Sequence, residues 1–176
     1  MTNKRFKFVI PVIALVLGMA LLASCASKQY MVLDEPLKPD SRTAVVYFYD
    51  LGSTKAEIWD GEKPIGIFEG LPMTSAGCLQ WKASPGSHTF LARRTNNAHL
   101  KMNLQANRTY LVEVVNIPAP YGTYVALKQI DEEREETILK RYRITDITFS
   151  DEWRQDFASQ NNGKKLSEVK AYLAGL

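Results

Sequence analysis

Ala56-Glu57-Ile58-Trp59-Asp60-Gly61-Glu62-Lys63-Pro64-Ile65-Gly66-Ile67-Phe68 is the stretch that decides the fold class. Two short apolar runs, Ala56–Trp59 and Ile65–Phe68, flank Asp60-Gly61, a pair that favours chain reversal because glycine takes positive φ without steric penalty. That pattern predicts a β-hairpin. The same grammar extends in both directions. Upstream, Ala44-Val45-Val46-Tyr47-Phe48-Tyr49 is apolar on both faces, as a strand buried between layers must be. Downstream, Cys78–Lys82 and Ser87–Arg93 flank a turn at Ser84-Pro85-Gly86. Leu100, Met102 and Leu104 alternate with Lys101, Asn103 and Gln105, the period of a half-exposed strand. Asn107 starts a turn before Tyr110–Val115, and Tyr124–Gln129 is a further strand. Short strands at this spacing predict a mainly β fold over residues 43–130, a small antiparallel β-sandwich.

The tail, residues 131–176, reads as a mostly helical extension. Asp131–Tyr142 is charge-rich and fits either a helix or an extended arm. Ser150 is a suitable N-cap, and Asp151 and Glu152 favour the positive end of a helix dipole. Trp153 and Phe157 then share one helical face, and Leu166, Val169 and Leu173 form a second apolar stripe after Asn161-Asn162-Gly163. Both stripes are expected to pack on the sandwich.

At the other end, Lys4, Arg5 and Lys7 precede an apolar run from Phe8 to Ala23, and Leu22-Ala23-Ser24-Cys25 closes it. A charged start, an apolar middle and small residues at the end form the layout of an export signal over residues 1–24. The apolar run spans about 24 Å as a helix, short of the ~30 Å hydrocarbon core, which disfavours the alternative of an uncleaved membrane helix. A cysteine at the cut resembles the lipobox of bacterial lipoproteins. That resemblance implies cleavage between Ser24 and Cys25 and acylation of Cys25, whose two or three chains anchor the protein stably in a membrane. By analogy with enterobacterial sorting, Ala26 in place of aspartate implies the outer membrane. Residues 25–42 read as the lipidated N-terminus and a polar tether, although Tyr30–Leu33 could instead dock on the domain.

The signal also accounts for the charge. The formal +3 equals Lys4, Arg5 and Lys7, and the remaining 19 Lys and Arg face 19 Asp and Glu. The basic character that would hint at a nucleic-acid partner therefore leaves with the signal. With Cys25 acylated, Cys78 has no intramolecular partner, so it is read as a buried small hydrophobe, with an intermolecular disulfide as the alternative.

A second resemblance rests on landmarks in order: Ala44–Tyr49, then Trp59-Asp60-Gly61-Glu62-Lys63-Pro64-Ile65-Gly66, then Ser84-Pro85-Gly86-Ser87-His88-Thr89, then Leu104-Gln105-Ala106-Asn107-Arg108-Thr109-Tyr110. Over residues 42–116 the chain resembles the bacterial envelope family catalogued as domain of unknown function 2846. Its Asp-Gly hairpin and Pro-Gly-x-His turn are also similar to PEGA-type β-domains. Both resemblances imply a small immunoglobulin-like or PEGA-like sandwich, and neither brings a catalytic residue or a ligand.

Residues for chemistry are sparse. His88 and His99 lie on separate strands without a clustered set of metal ligands, so no metal or cofactor is expected. Ser87 and His88 point to opposite faces of a strand, and no nucleophile elbow or phosphate-binding glycine loop is present. An enzyme is therefore not expected. Trp59, Trp81, Tyr47, Tyr49 and Tyr121 are the aromatics that would stack on sugar rings, with Trp59 and Trp81 the candidate glycan contacts; core packing is the competing role. The expectation is a lipid-anchored envelope protein whose partner is another envelope protein or, alternatively, peptidoglycan.

Overall fold

Alternation along the strands builds two sheets that share one core. The computed structural model describes residues 30–51, 55–68, 75–141, 143–160 and 163–176. In chain order these form β1 (Met31–Val32), β2 (Ala44–Asp50), β3 (Ala56–Asp60), β4 (Lys63–Phe68), β5 (Ser75–Ala83), β6 (Gly86–Arg93), β7 (Asn97–Leu104), β8 (Thr109–Ala119), β9 (Gly122–Gln129), α1 (Glu132–Arg141), β10 (Arg143–Thr148), α2 (Asp151–Ser159) and α3 (Lys164–Leu173). One sheet has six strands in the order β1-β10-β5-β2-β8-β9, the other four in the order β4-β3-β6-β7.

The expected hairpin forms as β3–β4, with Gly61 at φ +53° in the turn. Ala44, Val46 and Phe48 of β2 face Ile58 of β3 and Phe90 of β6 across a core that also takes Leu79, Val112, Val125 and Ile147. Phe48 and Phe90 meet edge-to-face at 5.2 Å.

The six-stranded sheet departs from the antiparallel arrangement expected. β2 pairs parallel with β8, and β10 pairs parallel with β5, so the sheet is mixed. Parallel neighbours need a long crossover, and such a pairing leaves no local turn in the sequence. The turn at Ser84-Pro85 leads from β5 in one sheet to β6 in the other, and β6 pairs with β3 and β7. The tail contains a strand as well as helices: Ile147 on β10 enters the common core.

Both outer faces are covered by this tail. α1 brings Ile138 over Tyr49, Cys78 and Leu111 of the six-stranded sheet. α2 and α3 bring Phe157 and Val169 onto Trp59 and Leu91 of the four-stranded sheet. Ser150 caps α2 as expected, its hydroxyl accepting from the Trp153 amide at 3.1 Å.

Candidate functional site

The N-terminal segment is strapped to the outer side of the six-stranded sheet. Met31 and Val32 pair with Thr148 and Ile147, and the Leu33 amide donates to the Asp146 carbonyl at 2.9 Å. Further on, the Leu37 amide donates to Gln80 Oε1 at 2.5 Å, and the Tyr47 hydroxyl donates to the Leu37 carbonyl at 2.7 Å. Gln80 is fully buried, and its amide nitrogen donates to Asp146 Oδ1 at 2.8 Å. One residue thus joins the strap, β5 and β10. Burial, and after it the neighbouring acidic groups, pushes the Tyr47 hydroxyl up to about 12, so the protonated donor is the stable form. Closer to the domain, Lys82 meets Asp40 at 2.8 Å. That hydrogen bond, followed by those from the Arg42 amide and the Thr43 hydroxyl, holds the Asp40 carboxyl well below the usual range.

Strand register sets a polar row on the same outer face. Asp146, Cys78, Tyr49 and Glu113 are successive neighbours across β10, β5, β2 and β8. Burial, then the Asp146 carboxylate, pushes the Cys78 thiol well above its ordinary value. A thiol kept protonated is a poor nucleophile. Cys78 is a buried free cysteine, in keeping with the hydrophobic role read from the sequence. Glu113 is buried and takes two hydrogen bonds from the Arg134 guanidinium, at 2.8 and 2.9 Å.

The second constellation lies where β3 turns into β4. His88 Nδ1 is 2.8–2.9 Å from both carboxylate oxygens of Asp60, and Trp81 Nε1 donates to Asp60 Oδ2 at 2.9 Å. His88 Nε2 lies 2.9 Å from the Ser84 carbonyl oxygen. Both ring nitrogens are therefore engaged within the fold, one by the Asp60 carboxylate and the other by the Ser84 carbonyl. An aspartate-oriented histidine is two parts of a nucleophilic triad, but a general base must turn its free nitrogen to a hydroxyl or thiol. Here that nitrogen meets a backbone carbonyl, and the assembly ties two β-turns together.

The sequence-selected residues divide as follows. Ser24 and Cys25 lie outside the described residues. Trp59 is fully buried against Phe157, their rings 5.9 Å apart. Trp81 is partly exposed, but its N–H is given to Asp60 and the Arg154 guanidinium lies 4.8 Å from its ring centre. The two indoles therefore form no shared open platform for a sugar. Tyr121 stands out at 95 % exposure on the β8–β9 turn, with Tyr124 partly exposed beside it. His88 and His99 are not brought together, since His99 Nδ1 pairs with the Tyr172 hydroxyl of α3 at 3.0 Å. Among the described residues no group of three or more His, Cys, Asp and Glu could hold a metal ion, and no helix is long and apolar enough to cross a membrane.

Sequence reasoning missed Asp60 as the partner of His88 and Gln80 as the clamp on the strap. The first required the β3–β6 register and the second a contact spanning 43 residues, for which the chain carries no local signal. No family model matches this chain, and neither a curated protein nor a solved structure does.

Proposed function

We propose that this chain is an exported bacterial lipoprotein, acylated on Cys25 and probing its surroundings by contact rather than by catalysis. The observation that carries this reading is the Leu22-Ala23-Ser24-Cys25 stretch, placed a few residues ahead of a strap that is fastened to the domain. Five residues from Cys25 to Tyr30 reach at most about 18 Å when extended. The domain would therefore ride close to the lipid surface and not at the end of a long tether. The outer membrane is the expected location, and the role is a structural or protein-interaction one. Support for a non-enzymatic role comes from the Asp60–His88 pair, whose remaining ring nitrogen is occupied, and from the protonated, buried Cys78. On this reading the two-sheet core is the sandwich of the domain of unknown function 2846 and PEGA-like families, elaborated by a strand and helices from the tail.

Growth with labelled palmitate tests the proposal. Label should enter the wild-type chain, the mature mass should begin at Cys25, and Cys25→Ser should abolish both. An unlabelled chain that retains residues 1–24 would overturn it. A second reading, binding to an envelope glycan, is favoured by the exposed Tyr121 and Tyr124. Pelleting with purified sacculi that is lost in Tyr121→Ala would put that reading first.

A further inference from the structure

Gln80 and Tyr47 take hold of main chain, not of a side chain. From this we infer that the outer side of β5 and β10 is a peptide-binding site through which copies of this chain exchange straps, residues 30–37 of one copy seating on a second copy. In the closed molecule the site is filled by the chain's own strap. Leu37 gives its N–H to Gln80 Oε1 at 2.5 Å, and its carbonyl accepts from the Tyr47 hydroxyl at 2.7 Å. Both backbone groups of one residue are thus read together. The Leu33 amide, donating to the Asp146 carbonyl at 2.9 Å, continues the antiparallel pairing of Met31 and Val32 with β10.

The acceptor is fixed from behind. Gln80 is fully buried, its amide nitrogen donates to Asp146 Oδ1 at 2.8 Å, and its carbonyl accepts from the Thr148 hydroxyl at 3.3 Å. Its Oε1 is therefore aimed at the strap by groups that belong to the domain, and leaving that buried acceptor without a donor is costly. Side-chain fit comes from three positions. Tyr30 meets Phe149 edge-on, with ring centres 6.4 Å apart, and Leu33 and Leu37 are half-buried. An extended segment with an aromatic residue, and leucines three and seven residues later, satisfies the site by adding a strand to the edge of a sheet.

The strap of a second copy meets every one of these requirements. Exchange keeps each contact and alters only the link from the strap to β2, which makes it a low-cost route to association. That link, residues 38–43, is folded as a turn in which Asp40 and Thr43 exchange backbone hydrogen bonds of 3.2 and 3.3 Å. Opened, its six residues span at most about 20 Å, so exchange places the two copies in direct contact. The inference does not depend on Cys25 being acylated.

Met31 and Thr148 are directly paired, about 5.5 Å apart between Cα atoms in such a ladder, within reach of a disulfide. Two full-length chains, both carrying Cys25→Ser, are purified separately in detergent. One, the donor, has Met31→Cys; the other, the acceptor, has Thr148→Cys. Neither can close the bond by itself, so after mixing and diamide oxidation a 31–148 disulfide, mapped by mass spectrometry, reports a strap seated on the other copy. Lys101→Cys, an exposed position on β7, replaces Thr148→Cys in a control for random collision. The 31–148 product should exceed the 31–101 product. Leu37→Pro removes the N–H that Gln80 accepts, and among the described residues Leu37 lies outside the buried core clusters. Placed in the acceptor it loosens the competing strap and should raise the 31–148 yield about tenfold; placed in the donor it should lower it by a similar factor. Thermal unfolding of each variant checks that the domain stays folded. A 31–148 yield no higher than the 31–101 yield, or a Leu37→Pro effect that is the same in either copy, would overturn the inference.

Discussion

Two covers of this molecule, the α2–α3 pair and the N-terminal strap, are held by different physics. On the four-stranded sheet, α2 and α3 bury Trp59, Leu91, Phe157 and Val169, and Trp153 stacks on Phe157 at 4.5 Å while meeting Phe149 at a tilt, 4.2 Å between ring centres. That contact is apolar and non-directional; it even leaves the buried Trp59 Nε1–H without an acceptor among the described residues. On the six-stranded sheet the strap is held by directional groups instead: Gln80, Tyr47 and the backbone of β10. Apolar cover contributes in proportion to area and fails only when volume is lost. Directional cover fails when one donor or acceptor is removed, and it can fail locally. The difference separates a cover that is part of the fold's stability from a strap that can open.

The contrast is broken most severely at Trp59. Trp59→Ala should destabilise the chain by about 3–5 kcal/mol, and thermal unfolding should show one cooperative transition shifted down by roughly 10 °C. If α2 and α3 detached while the sheets stayed folded, the helices and the strap would be equally separable and the comparison would fail. Next in size is Gln80→Leu. It leaves the Leu37 amide and the Asp146 carboxylate without their partner, at about 1–3 kcal/mol. Hydrogen exchange should accelerate at Leu33 and Leu37 and remain slow in α2 and α3.

Alkaline pH sharpens the same point. The Tyr47 hydroxyl is raised from 10.0 to about 12, so the folded state favours its neutral form. Its contribution is complete below pH 10 and is lost as pH rises from about 10 to 12. Strap amides should exchange faster across that window, and Tyr47→Phe should remove the dependence at the loss of about 1 kcal/mol. The smallest effect belongs to the ion pairs at the rim of the other face. Lys165→Gln removes the contact to Glu57 and should change stability by less than about 1 kcal/mol, with the difference shrinking as salt rises.

Local chemistry was legible in the sequence, and pairing at a distance was not. The β3–β4 hairpin follows from Asp60-Gly61, and the α2 start follows from Ser150, because both signals lie within a few residues of the structure they specify. The β2–β8 and β5–β10 pairings join residues more than 60 apart through parallel register, for which the chain carries no turn. β10 itself hides in a charged stretch, where only Ile144 and Ile147 mark a strand of six residues. The tryptophans show the same limit. Trp59 and Trp81 have similar sequence surroundings, yet one is sealed by α2 and the other is braced by Asp60 and Arg154.

The pairing of Met31 and Val32 with β10 also bears on the order in which the chain can be completed. Among the described residues β1 has no strand partner other than β10, a segment more than 100 residues later. A chain emerging N-terminus first therefore keeps the β1 part of its strap unpaired until β10 has been made, even though Gln80 and Tyr47 can already hold Leu37. A prematurely terminated copy lacking β10 would expose both the unpaired strap and the bare edge of β5, two strand edges open to proteases. Pairing β1 with β10 makes synthesis through Thr148 the condition for a fully fastened strap.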